Sequence, residues 1–153
     1  MASKWKIPPI EKILEAYSAI VDDRIELHED KAMVSSSDLK KVYTITWNND
    51  TYTSNDNATY WQGYLGYPII AVLMLQNKLS LNKDIAQYFY GINWKELNKK
   101  NKNDYSKVAN ILFEEMYKKG INCDKIKTEL DHVYNQIKEL EIVIKRSSLR
   151  PPK

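Results

Sequence analysis

The stretch SNDNATYWQGYLGYPIIAVLMLQNKL runs from Ser54 to Leu79, carries no charge between Asp56 and Lys78, and decides how the rest of the chain must be arranged. Ser54, Asn55, Asp56 and Asn57 offer N-cap side chains, and the apolar residues thicken from Tyr64 to Leu75 before Gln76 and Asn77 close the run. This predicts a central buried helix. Gly63, Gly66 and Pro68 interrupt it. Because Pro68 has no N–H to give the Tyr64 carbonyl, a kink or a break is expected. An uncharged run of about 20 residues could also span a bilayer. Its continuous apolar part, however, is only Tyr64 to Leu75, and Asn57, Thr59 and Gln62 dilute the remainder. A soluble core with no membrane partner is the expectation.

The 153 residues, 43% hydrophobic and 28% charged, match one globular domain, expected over residues 1–146 with 147–153 as a disordered tail. Lys and Arg number 9 against 11 Asp and Glu through Tyr90, and 14 against 9 beyond it, so −2 and +5 make up the net +3. The basic excess is therefore C-terminal. The single cysteine, Cys123, excludes an intramolecular disulfide, and no basic segment followed by an apolar run opens the chain, so the cytoplasm is the expected location.

Upstream, Pro8 and Pro9 suit a helix start, and Ile10, Ile13, Leu14, Tyr17, Ile20 and Val21 recur at spacings of three and four until Asp22 and Asp23. One apolar face is predicted, and the two aspartates are read as solvated. From Arg24 to Thr53 the period becomes two: Ile25 and Leu27, then Tyr43, Ile45 and Trp47, alternate with polar or smaller residues. These are strands of an antiparallel meander, three or four in number, with turns at Ser35–Asp38 and Asn48–Asp50 and one face covered by the central helix. His28 falls on the polar face.

Downstream, Ser80 caps a predicted helix from Leu81 to Tyr90 ended by Gly91, and Asn93 with Glu96 imitates a capping box opening a short helix. A further helix covers Asp104 to Lys119 with a stripe of Tyr105, Val108, Ala109, Leu112 and Met116, stopped by Gly120. The last opens at Asn122. Its seam of Ile126, Leu130, Val133, Ile137, Leu140 and Ile144 follows heptad spacing to residue 146. The fold class is thus α+β: an N-terminal helix, a meander, a central buried helix and a C-terminal group of three or four helices.

Lys4-Trp5-Lys6-Ile7-Pro8-Pro9, the residues from Ser54 through Met74, and Gly91 through Asn98 resemble segments of small archaeal proteins that carry no assigned activity. The resemblance covers Lys4 to Tyr105 and leaves the last helix unmatched. It implies an intracellular archaeal protein, and the abundance of thermolabile asparagine argues against a thermophilic one.

No P-loop, dinucleotide fingerprint, HExxH or CxxC is present, and the two histidines, His28 and His132, are far apart, so no cofactor and no metal site are expected. Three functional readings follow. In the first, the segment 81–102 is a helix-turn-helix-like nucleic-acid-binding module. Lys95, Asn98, Lys99, Asn101 and Lys102 lie on its second helix, the lysines neutralising phosphates and the asparagines offering a donor and acceptor to adenine. In the second, Ser54, Asn55, Asp56, Asn57, Tyr60, Trp61 and Tyr64 form a small-ligand pocket or enzyme site, whose amides, carboxylate and rings suit a sugar or nucleobase. Capping and core packing account for the same residues. In the third, the seam of the last helix is the interface of a homodimer.

Overall fold

The computed structural model describes residues 5–153; residues 1–4, with Lys4 of the opening motif, lie outside the described residues. The elements in chain order are α1 (Lys12–Val21), β1 (Ile25–Leu27), β2 (Lys31–Ser35), β3 (Val42–Asn48), β4 (Thr51–Ser54), a π-helical turn (Ala58–Gln62) and α2 (Tyr67–Leu75). There follow α3 (Lys83–Ala86) with a 3-10 turn (Gln87–Phe89), α4 (Trp94–Lys100), α5 (Tyr105–Lys118), α6 (Cys123–Lys138) and β5 (Val143–Ile144). The protein is α+β.

β1 to β4 form the antiparallel meander that the two-residue period predicts, with Ala32 opposite Ile45 and Trp47 opposite Tyr52. Alternate residues Ala32, Val34, Tyr43, Ile45 and Tyr52 are buried on one face. A fifth strand was not expected: β5 pairs parallel to β4, Thr51 against Val143 and Tyr52 against Ile144, which makes the sheet mixed.

The central helix is shorter than its sequence predicts. β4 runs into Ser54, the π-helical turn ends in left-handed Gly63, and α2 begins only at Tyr67 after Gly66, with Pro68 in its first turn. Proline is tolerated there because that N–H would have no helical acceptor. The break that Gly63, Gly66 and Pro68 foretold therefore separates two elements rather than bending one. Pro68 to Met74 are buried on every side, and each large apolar side chain so removed from water contributes about 1.5–3 kcal/mol. None of the helices is long and apolar enough to cross a membrane among the described residues.

α1 lies against α2, α3, the 3-10 turn and α6. Its apolar face is as predicted, but its other side is buried too: Lys12, Glu15 and Ser18, spaced by three, are all covered. Asp22 is not simply solvated, since its Oδ1 accepts from the Gly91 amide at 2.8 Å and its Oδ2 from Arg24 Nε at 3.3 Å. His28 is exposed beside Glu26, as expected.

In the C-terminal group Asn82, not Ser80, caps α3, accepting from the Ile85 amide. The helix after it ends α-helically at Ala86 and tightens to a 3-10 turn before left-handed Gly91. The last helix stops at Lys138 instead of running to 146. Its seam residues Ile126, Leu130, Val133 and Ile137 are buried within this single chain, where α6 meets α1 and α5. The seam is core, which removes the ground on which the dimer was inferred. Beyond Ile144 the tail has no regular structure, and the Arg150 carbonyl accepts from Asn55 Nδ2 at 3.1 Å.

Candidate functional site

The largest cleft, about 980 Å³, opens between α1, the turn joining β2 to β3, the residues leading into the π-helical turn, and α4. The turn is held by its own polar side chains. Ser36 Oγ donates to Asp38 Oδ1 at 2.6 Å, which also accepts from the Lys40 amide at 3.0 Å, and Leu39 takes a left-handed φ of 63°. Ser37 Oγ accepts from the Lys95 amide at 3.1 Å, tying the turn to α4. α4 is fixed to α1 by Trp94, whose indole N–H donates to Ser18 Oγ at 2.7 Å, while Ser18 donates to the Phe89 carbonyl.

The floor is Asp56, 4% exposed. Its carboxylate accepts from the Ser54 hydroxyl and, at 3.1 Å, from the Thr59 amide. Thr59 Oγ1 accepts in turn from the Gly66 amide at 3.1 Å, so the polar stretch before the π-helical turn is a closed hydrogen-bonded loop. Burial pushes the Asp56 carboxyl above the usual range, and the hydrogen bonds from Ser54 and Thr59 offset part of that rise.

One wall is charged. Lys12 Nζ lies 2.9 Å from Glu15 Oε2 and 4.1 Å from the centre of the Tyr105 ring, and Asn98 Nδ2 reaches Glu15 Oε1 at 3.5 Å. Despite desolvation, which acts the other way, the attraction of Glu15 holds the Lys12 ammonium above the ordinary lysine range. Arg24 Nη1 donates to the Ser35 carbonyl at 2.6 Å. Burial raises the phenols facing this wall, Tyr43 to about 12 and Tyr67 further.

Two atoms of this wall have no partner. Arg24 Nη2 and Asn98 Oδ1, on side chains of residues 7% and 9% exposed, make no hydrogen bond among the described residues. One is a donor, the other an acceptor, and leaving such a group unpaired in a buried place costs about 1–3 kcal/mol. The cleft thus presents an unsatisfied donor and an unsatisfied acceptor beside the flat faces of Tyr43, Tyr67, Trp94 and Tyr105.

The residues singled out in the sequence fall in three places. Asp56 and Asn57 of the first set and Lys95, Asn98 and Lys99 of the second line this one cleft. Ser54 supports Asp56 from behind, and Asn55 is used up by the Thr44 amide and the Arg150 carbonyl. Tyr60 and Trp61 face elsewhere, stacked edge to face under the Arg146 guanidinium at 4.4 and 5.6 Å, with Trp61 63% exposed. Tyr64 lies next to Lys12 and Tyr105. Asn101 Nδ2 donates back to the Leu97 carbonyl of its own helix, and Lys102 follows that helix with a φ of 55°. Asn98 is buried against Glu15, so it does not project from α4 toward a base edge as the helix-turn-helix reading requires. Sequence reasoning missed Lys12, Glu15, Arg24, Tyr43, Tyr67 and Tyr105. The polar spacing of Lys12, Glu15 and Ser18 is the one trace they left, and it reads equally well as a solvated face.

Among the described residues no group of three or more His, Cys, Asp or Glu is placed to hold a metal ion. A protein-family model described as "Uncharacterised conserved protein UCP014422" matches residues 5–143, running through α6, which the archaeal resemblance left unmatched. Comparison with curated proteins and with solved structures gave no match.

Proposed function

Because the chain belongs to this uncharacterised conserved protein family, whose description carries no activity, we propose its function from the geometry of the cleft: it binds a small polar ligand with a flat or puckered ring, a nucleobase or sugar derivative. The observation that carries this is the pair Arg24 Nη2 and Asn98 Oδ1, a donor and an acceptor left open on one cleft. A ligand offering the opposite pair relieves both, and its ring lies against the tyrosines and Trp94. Asp56 and Asn57 from the one set of candidates, and Lys95, Asn98 and Lys99 from the other, then serve one site instead of two.

The test is titration calorimetry of the protein against nucleosides, nucleotides, monosaccharides and sugar phosphates, alongside a duplex oligonucleotide. Saturable binding of one small compound, weakened about tenfold by Asn98→Ala, supports the cleft, since a lost hydrogen bond of this kind is worth about 1.4 kcal/mol. Tight, salt-sensitive binding of the duplex with none of the small compounds would replace this reading by nucleic-acid recognition through 81–102.

A further inference from the structure

The charges of the cleft do not cancel. Each carboxylate there is already engaged: Glu15 by Lys12 and Asn98, Asp38 by Ser36 and the Lys40 amide, Glu96 by the Asn93 side chain at 3.4 Å, and Asp56 by Ser54 and Thr59. On the cationic side Lys12 is taken up by Glu15, and Arg24 directs Nε to Asp22 and Nη1 to the Ser35 carbonyl. Lys40, Lys95 and Lys99 stand in no ion pair among the described residues, and Arg24 Nη2 is free. Lys95 has further positive charge beside it in Lys41; burial first, and this repulsion second, hold its ammonium below the ordinary lysine range.

Three ammonium groups and one open guanidinium N–H around a recess whose carboxylates are all occupied describe a place that attracts an anion. A neutral sugar or base leaves those cations unanswered. A carboxylate brings one charge, whereas a phosphate monoester brings about −1.5 to −2 at pH 7 and three acceptor oxygens. We infer that the ligand carries a phosphate monoester, seated on Arg24 Nη2 and approached by Lys95, Lys99 and Lys40, with its ring against the aromatic wall. The inference rests on the reading of the cleft as a small-ligand site. Arginine supplies the directed hydrogen bond of such a seat, and the lysines act as point charges around it.

Paired probes separate the two claims: adenosine with adenosine 5′-monophosphate, uridine with uridine 5′-monophosphate, and glucose with glucose 6-phosphate, each titrated into the full chain at low salt. The expected result is that at least one phosphorylated member binds about tenfold or more tightly than its neutral parent, with a preference that shrinks as salt rises. In the doubly substituted Lys95→Gln, Lys99→Gln protein that preference falls, while circular dichroism is unchanged because both ammonium groups are at the cleft rim. Arg24→Lys is a second variant, retaining charge and losing the fork. If a neutral parent binds as well as its phosphate ester and the lysine variant alters neither, the phosphate is wrong and the cleft stands. If no probe of either kind binds the folded protein, both are overturned.

Discussion

Gly66 and Asp56 occupy one space: a Cβ built on Gly66 would lie 2.0 Å from Asp56 Oδ2 and 2.7 Å from its carboxyl carbon. The backbone of Gly66, at φ −72° and ψ 162°, is one that any residue adopts, so the glycine is required by the carboxylate and not by the chain path. Gly66→Ala should therefore cost about 3 kcal/mol or more, as overpacking of a buried site does. Gly63→Ala, at φ 76° with open space around it, should cost only about 1 kcal/mol from backbone strain. Urea unfolding of the two variants checks the order, and equal losses would contradict it.

The buried Asp56 carboxyl sets a pH dependence. Its folded pKa lies above the ordinary 3.8, chiefly through desolvation, so the folded state holds this proton more tightly than the unfolded chain. The stability it contributes is full below pH 3.8 and is lost as the pH rises through the raised folded value. Asp56→Asn removes the titration. Between about pH 4 and about pH 7 the wild-type protein should lose stability relative to the D56N protein, and a gap that is flat or moves the other way would refute this.

Lys12 and Glu15 form a covered ion pair whose side chains are 10% and 7% exposed. Lys12→Met leaves a buried carboxylate without its cation and should cost about 3–5 kcal/mol at neutral pH. Adding Glu15→Leu should restore much of that loss, because an apolar pair of similar volume needs no desolvation. A double-mutant cycle in urea reads the coupling directly.

Ile137, fully buried on α6, tests whether the heptad seam belongs to this chain's own core. Ile137→Asp should unfold the protein, since burying an unpaired carboxylate exceeds a cost of about 4 kcal/mol. A variant that stays folded and merely changes in size by light scattering would instead return the seam to an interface between copies.

What the sequence made legible was whatever a local period or cap encodes. The alternation from Ile25 to Trp47 located the meander, and Asn93, Asp104 and Asn122 each accept from the amide three residues on, as their sequence positions suggested. Pairings between distant segments were not legible. Nothing in Val143 and Ile144 distinguishes a strand from the continuation of a heptad, and only docking beside Thr51 and Tyr52 decides it. The cleft was divided for the same reason: Asp56 and Asn98 belong to separate stretches, and the tertiary packing of α4 on α1 through Trp94 and Ser18 is what brings them together. Arg24 read as a strand-edge charge, and its burial became visible only once the β2–β3 hairpin was in place.

The parallel strand β5 has a kinetic consequence. It joins Thr51 and Tyr52 to residues near the far end of the described chain, the most remote pairing in the sheet, and contacts of long sequence separation form late because a large loop must close first. Until it docks, the outer edge of β4 offers bare amides and carbonyls to any neighbouring molecule. The same segment carries the Ile142 carbonyl that receives the Trp5 indole N–H, so one docking event seals the sheet and latches the N-terminal strand segment. Refolding yield should accordingly fall as protein concentration rises, with the loss concentrated in the interval before β5 arrives.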